Sequence, residues 1–163
     1  MTEYRSLKWE DVREGDELPA LTREVSTTTV ISAAIASRDF YPVHHDFRFA
    51  QGAGARDIFL NIISTGGFVG KYLTDWSGPE GEIKRMKFHL GVPCCARDTL
   101  KMTGRVTDKR EDAGEHLVDI DYDLAVADGS HCRGTATMIL PARVAEPSQR
   151  SHDGATQGSE RIG

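Results

Sequence analysis

From His116 to Ala127 the chain reads HLVDIDYDLAVA, in which Val118, Ile120, Tyr122, Leu124 and Val126 alternate with Asp119, Asp121 and Asp123. A period of two with carboxylates on every second residue is the pattern of a half-buried antiparallel strand, one face on a core and the other in water. It is also incompatible with an amphipathic helix, whose apolar face recurs every three or four residues. Similar segments surround it: IKRMKFHLGV and TLKMTGRVTDK before, HCRGTATMIL after. EDAG and ADGS supply hairpin turns between the last three, and the small residues Cys132, Gly134 and Ala136 suit a strand that a helix crosses. Everything from Ile83 to Leu140 is therefore expected to form one antiparallel sheet.

What precedes the sheet is mixed. Leu21, Arg23 and Val25 alternate with Thr22 and Glu24 in an extended segment beginning near Pro19. Ser26 to Thr29 offer N-caps for a short helix over VISAAIAS, ending by about Arg38. Ile58, Ile62, Gly66, Val69 and Leu73 recur at three- and four-residue steps, which predicts a long helix opening near Asp57 and stopped by SGPEG at 77–81. Gly66, Gly67 and Gly70 cost that helix roughly 1 kcal/mol each against alanine, so a backbone or sheet is expected to approach them closely. Strand, short helix, long helix and then a run of strands is an α+β pattern with the helix wrapped by the sheet. A single domain is expected over 1–141 and a disordered tail over 142–163, where large apolar residues almost vanish.

Between the two helices lies SRDFYPVHHD, where Asp39 and His44 stand on a loop stiffened by Pro42. Titratable groups on a loop held by rigid elements are where chemistry is placed. The formal net charge of −5 lacks the basic footprint of nucleic-acid binding. No apolar run approaches the ~20 residues that span a bilayer, and MTEYRSLKWED has no apolar core of a signal peptide. A soluble cytoplasmic protein without membrane attachment is expected. The three cysteines, Cys94, Cys95 and Cys132, are odd in number and without a CxxC spacing, so they read as reduced thiols. His44, His45 and Asp46 adjoin one another, but neighbours in an extended segment point apart, and no third ligand stands at a defined spacing, so no metal site is expected.

The spacing of Asp39, Pro42, Val43 and His44 resembles the D-x-N-P-[aliphatic]-H signature of the MaoC-like enoyl-CoA hydratases. EDVREGDELP, GVPCCARDTL and GTATMILP resemble other segments of that family, and the likeness extends over about residues 9–141. SRDFYPVHHD with DIFLNIISTGGFVGKYLTDWSGP is similar to the small catalytic subunit of two-protein steroid enoyl-CoA hydratases of actinobacterial side-chain degradation. The resemblance implies a hotdog fold, water addition to a 2-enoyl-CoA, here a steroid side-chain acyl-CoA, and no cofactor beyond the CoA of the substrate. It also implies a second MaoC-like hotdog chain as partner, distinct or identical.

In that scheme Asp39 and His44 bracket the water, with His44 as principal base, imidazole being the side chain that exchanges protons near neutrality. Pro42, His45 and Asp46 support the loop. The signature's usual Asn is Tyr41 here, and ARDIFLN replaces a His-Gly pair, so the thioester oxygen is expected to meet a backbone N–H of Asp57 or Ile58, with Tyr41 beside the substrate. Phe40, Phe47, Phe59, Phe68 and Trp76 offer either pocket lining or core. Two alternatives stand beside hydration. Asn61 and Asp57 on the central helix would suit an acyl-CoA thioesterase, and a non-catalytic hotdog partner would need neither Asp39 nor His44.

Overall fold

The computed structural model describes residues 5–143. After a 3-10 turn at Trp9–Asp11 the elements are β1 (Glu17–Glu24), α1 (Thr27–Ala36), a 3-10 turn at Pro42–His44, α2 (Phe47–Gly52) and α3 (Ile62–Ser77). The strands β2 (Glu82–Leu90), β3 (Thr99–Asp112), β4 (Glu115–Val126) and β5 (Gly129–Ile139) follow. They form one five-stranded antiparallel sheet in the order β1-β3-β4-β5-β2. Because β1 and β2 occupy opposite edges, the chain between them must cross the sheet, and all of its helices lie in that crossing. α3 presents Thr65, Val69, Tyr72 and Leu73 to the interior. They meet a core that includes Leu100, Met102, Ile120, Leu124 and Met138 from the strands. This is the hotdog arrangement, a curved sheet folded round one long helix.

The turn chemistry follows the strand twist. Ala113 and Gly114, with φ of 50° and 83°, form the two-residue link between β3 and β4, the left-handed geometry that matches right-handed strands. On β4 the aspartates face away from the core, and Asp119 and Asp123 meet cations or hydroxyls of neighbouring strands. Asp119 accepts from Arg110 (2.5 Å) and Thr137 (2.6 Å).

Two expectations are corrected. The long helix begins at Ile62, because Asn61 caps it, its side-chain oxygen accepting from the Ser64 N–H at 2.9 Å. Residues 55–60 are instead non-helical, bent at Arg56 and Asp57 and then held to the loop before β3 by Leu60 N–H to Cys94 O and Ala96 N–H to Ile58 O. Ahead of that segment, Asp46 caps the short α2 through the Phe49 N–H. Of the backbone or sheet expected against the α3 glycines, the sheet reaches two of them and a backbone none: a Cβ on Gly66 would meet the Phe88 ring at 3.5 Å, one on Gly70 would meet Ile83 at 3.9 Å, and one on Gly67 would meet nothing within 4 Å. Side chains of β2, not its main chain, cover that face. Gly67→Ala is therefore expected to raise stability by about 0.5–1 kcal/mol, the helix-propensity difference, read from urea denaturation midpoints.

No helix among the described residues is long and apolar enough to cross a membrane. The three cysteines are buried and free, and burial pushes the Cys94 thiol up to about 12. The tail expected over 142–163 lies, from 144 onward, outside the described residues.

Candidate active site

α1 ends in a motif that places Asp39. The Arg38 N–H donates to Ile35 O (3.0 Å) and the Asp39 N–H to Ala34 O (2.9 Å), with Arg38 itself at φ 57°. This is a Schellman closure with a residue other than glycine at its left-handed position. Asp39 thus leaves the helix at a fixed angle rather than on a free loop. Pro42 starts the next turn, and its carbonyl accepts from His45 N–H (3.1 Å) and Asp46 N–H (2.7 Å). His45 donates from Nε2 to Phe40 O at 3.1 Å, which ties the two ends of the loop together. His44 and His45 are accordingly committed to different carbonyls and do not converge.

His44 is turned inward and is 6% exposed. Its Nδ1–H donates to Phe59 O at 2.7 Å, which leaves Nε2 facing Asp39 Oδ2 at 3.4 Å. The Phe59 ring stacks edge-on against the imidazole, centroids 5.2 Å apart. Asp39 is part-exposed and accepts from Asn61 Nδ2 at 3.0 Å and from the Tyr41 N–H at 3.3 Å. The Asn61 amide in particular, with the Tyr41 N–H and His44, holds the Asp39 carboxyl below its ordinary range in spite of some burial. The Asp39 carboxylate and His44 Nε2 therefore share one mouth, close enough for one water to reach both.

Asn61 also marks where α3 begins. The N–H groups of Ser64 and Thr65 are taken by the side-chain and main-chain oxygens of Asn61. Those of Ile62 and Ile63 have no intrahelical acceptor, and they carry the positive end of a 16-residue helix. Round this opening Phe40, Tyr41, Phe47, Phe49, Ile62 and Ile63 are all exposed, an apolar rim about a polar centre.

Asp57 and Ile58 precede α3 rather than open it. The Ile58 N–H donates to Asp57 Oδ1 at 2.7 Å, and the other Asp57 oxygen faces Arg97 at 3.7 Å. Neither residue belongs to the helix. Phe59, Phe68 and Trp76 pack on the core, whereas Phe40 and Phe47 do not.

No family model matches the chain. Over 93 residues it is 45% identical to the 3-oxo-4,17-pregnadiene-20-carboxyl-CoA hydratase beta subunit of Mycobacterium tuberculosis (strain ATCC 25618 / H37Rv), a match covering 57% of this chain and 72% of that one. Among solved structures, it superposes on a chain of the ChsH1-ChsH2 complex from Mycobacterium tuberculosis with a TM-score of 0.73 and 37% identity, over 78% of this chain and 98% of that one. The chain belongs to the MaoC-like enoyl-CoA hydratase family. The MaoC-like dehydratase from Rhodospirillum rubrum, 18% identical with a TM-score of 0.74 over 85% of this chain and 99% of that one, shares the hotdog fold.

In this MaoC-like hydratase several polar residues about the site escape a reading of the loop alone. Ser37 accepts from Asn61 Nδ2 at 2.8 Å. His131 is buried on β5, with Nδ1–H donating to Val92 O (2.8 Å) and Nε2 accepting from the Thr65 hydroxyl (2.9 Å) on the first turns of α3. Asn61 was legible as a helix cap, an Asn just ahead of an apolar helical run. Nothing in the sequence pairs His131 with Thr65.

Burial depresses the His131 pKa, and the consequence for stability has a definite sign. Above the unfolded value, about 6.5, the imidazole is neutral in both states and its contribution is intact. As the pH falls through that value toward the depressed folded one, the unfolded chain takes a proton that the buried ring resists, and stability is lost. Urea denaturation at pH 7.5 and 5.5 is expected to show the drop, and His131→Gln is expected to make it shallower.

Proposed function

We propose that the chain hydrates a steroid side-chain 2-enoyl-CoA, with one water held between His44 Nε2 and Asp39 Oδ2. The observation that carries this is the pairing of those two atoms, 3.4 Å apart, with the open N-terminus of α3. His44 takes a proton from the water as its oxygen attacks the β-carbon. The electron pair of the double bond moves toward the thioester oxygen, which the Ile62 and Ile63 N–H groups stabilise where charge develops. The proton returns through the pair to the α-carbon, so that H and OH add across the double bond. No cofactor beyond the substrate's own CoA is needed.

The substrate class is supported by the relative, named for a pregnadiene carboxyl-CoA, and by the apolar rim, which suits a rigid polycyclic group. A second hotdog chain as partner is supported by the ChsH1-ChsH2 complex and by that same rim, costly to leave in water. A cytoplasmic location follows from the use of CoA thioesters.

The test is a spectrophotometric assay against a steroid enoyl-CoA and crotonyl-CoA, alone and with a co-expressed MaoC-like partner, following enoyl absorbance and free thiol together. Loss of the enoyl band without thiol release is the expected result; thiol release would mean hydrolysis, and silence throughout would remove the hydratase reading.

The Tyr41 ring lies edge-on to Phe49 and His44, centroids 5.7 Å and 6.5 Å away, so it forms one wall of the mouth. Tyr41→Ala is expected to raise KM for the steroid substrate about tenfold, equivalent to roughly 1.4 kcal/mol of lost contact, with crotonyl-CoA kinetics little changed.

A further inference from the structure

The acid–base pair and the helix N-terminus come from different elements, and one side chain joins them. Asn61 is 3% exposed, and every hydrogen-bonding position of its side chain is used. Its Nδ2 donates to Asp39 Oδ2 (3.0 Å) and to Ser37 Oγ (2.8 Å), both at the end of α1. Its Oδ1 accepts from the Ser64 N–H (2.9 Å) and the Ser64 hydroxyl, both on α3. The next residue in the chain is Ile62, whose N–H opens that helix. The Asn61 carbonyl accepts in turn from the Thr65 N–H at 3.0 Å.

We infer that Asn61 is a positioning residue for the hydration reaction: its amide fixes Asp39 relative to the first N–H groups of α3, so that the water and the thioester oxygen are held in one geometry. This rests on the hydratase reading above. Two physical points favour it over simple helix capping. A cap needs only an oxygen, and Asn, Asp and Ser supply one about equally well. The amide N–H₂ is superfluous for capping, yet here it is buried and both of its donors are spent on the loop that carries Asp39. The same donation keeps Asp39 ionised, the state in which it accepts from water.

Asn61→Ser and Asn61→Asp both preserve a cap and so preserve the fold, but neither supplies the amide. In Asn61→Ser the side chain is too short to reach Asp39. In Asn61→Asp a second carboxylate faces Asp39 at hydrogen-bonding distance, where two such groups share a proton. With the full chain and its co-expressed hotdog partner, both variants are expected to lose about 100-fold in kcat, the scale of a 1 Å misplacement, with KM changed less than about threefold. Asn61→Asp is also expected to move the acid limb of the kcat profile to higher pH, since the shared proton leaves later. Wild-type kcat in both variants would reduce Asn61 to a cap and overturn the proposal.

A readout independent of turnover separates this from failure of the hydratase reading. The Asp39 carboxyl, followed by carbon-13 NMR, is expected to titrate at higher pH in Asn61→Ser than in wild type. If wild type hydrates no enoyl-CoA, the hydratase reading fails, and an unchanged Asp39 titration overturns the positioning role by itself.

Discussion

His44→Ala and Asp39→Asn are each expected to lower kcat for hydration by about 10²–10⁴-fold, the range that a positioned acid–base group contributes, with little change in KM. The two losses should not multiply in the double variant. In the proposed mechanism both side chains hold the same water, their facing atoms being 3.4 Å apart, and groups that act as a unit are strongly non-additive. The fold should survive in each case. Asp39 is part-exposed, and its replacement by Asn keeps the shape of the side chain. His44 donates a single hydrogen bond, to Phe59 O, and losing it leaves one carbonyl unpaired at a cost of about 1–3 kcal/mol. Steady-state kinetics beside circular dichroism of each purified variant decide the matter. Full activity in either variant would remove the pair from the mechanism.

Gly134→Ala is expected to destabilise the domain by about 3 kcal/mol, the upper part of the usual range for overpacking. Gly134 lies in β5, between Tyr122 of β4 and Phe88 of β2. A Cβ there would stand 2.0 Å from Lys87 O and 2.8 Å from Phe88 Cα. Those atoms are main chain, so no side chain can swing away, and relief requires β2 to move off the sheet. β2 also packs Phe88 against Gly66 of α3, so the shift would reach the helix that opens at the site. For a domain of this size the midpoint of thermal unfolding should fall by roughly 6–12 °C, measurable by calorimetry. Gly67→Ala, on the open face of α3, provides the control of opposite sign.

Much of the architecture was written in local pattern. The alternation along β4, the hairpin turns and the Asp39-to-His44 loop all depend on neighbours within about ten residues, where periodicity and turn chemistry act directly. The start of α3 was misplaced because Ile58 continues the apolar period of the helix while Leu60 and Ile58 are in fact tied by main-chain bonds to 94–96, a long-range pairing that outweighs helical spacing. The α3 glycines were legible as a cost but not as to what faces them, since that depends on which side chains β2 brings across the sheet.

The sequence by itself determined that a polar, proline-stiffened loop with an Asp and a His lies between two helices and ahead of an antiparallel sheet. Only the tertiary structure decided which atoms that loop meets. Phe59 O sets the His44 tautomer, and Asn61 binds both Asp39 and the first turn of α3. These partners lie 15 and 22 residues away from the groups they hold, beyond the reach of any local pattern. They meet because a chain running from one sheet edge to the other must lay its helices across a single apolar face.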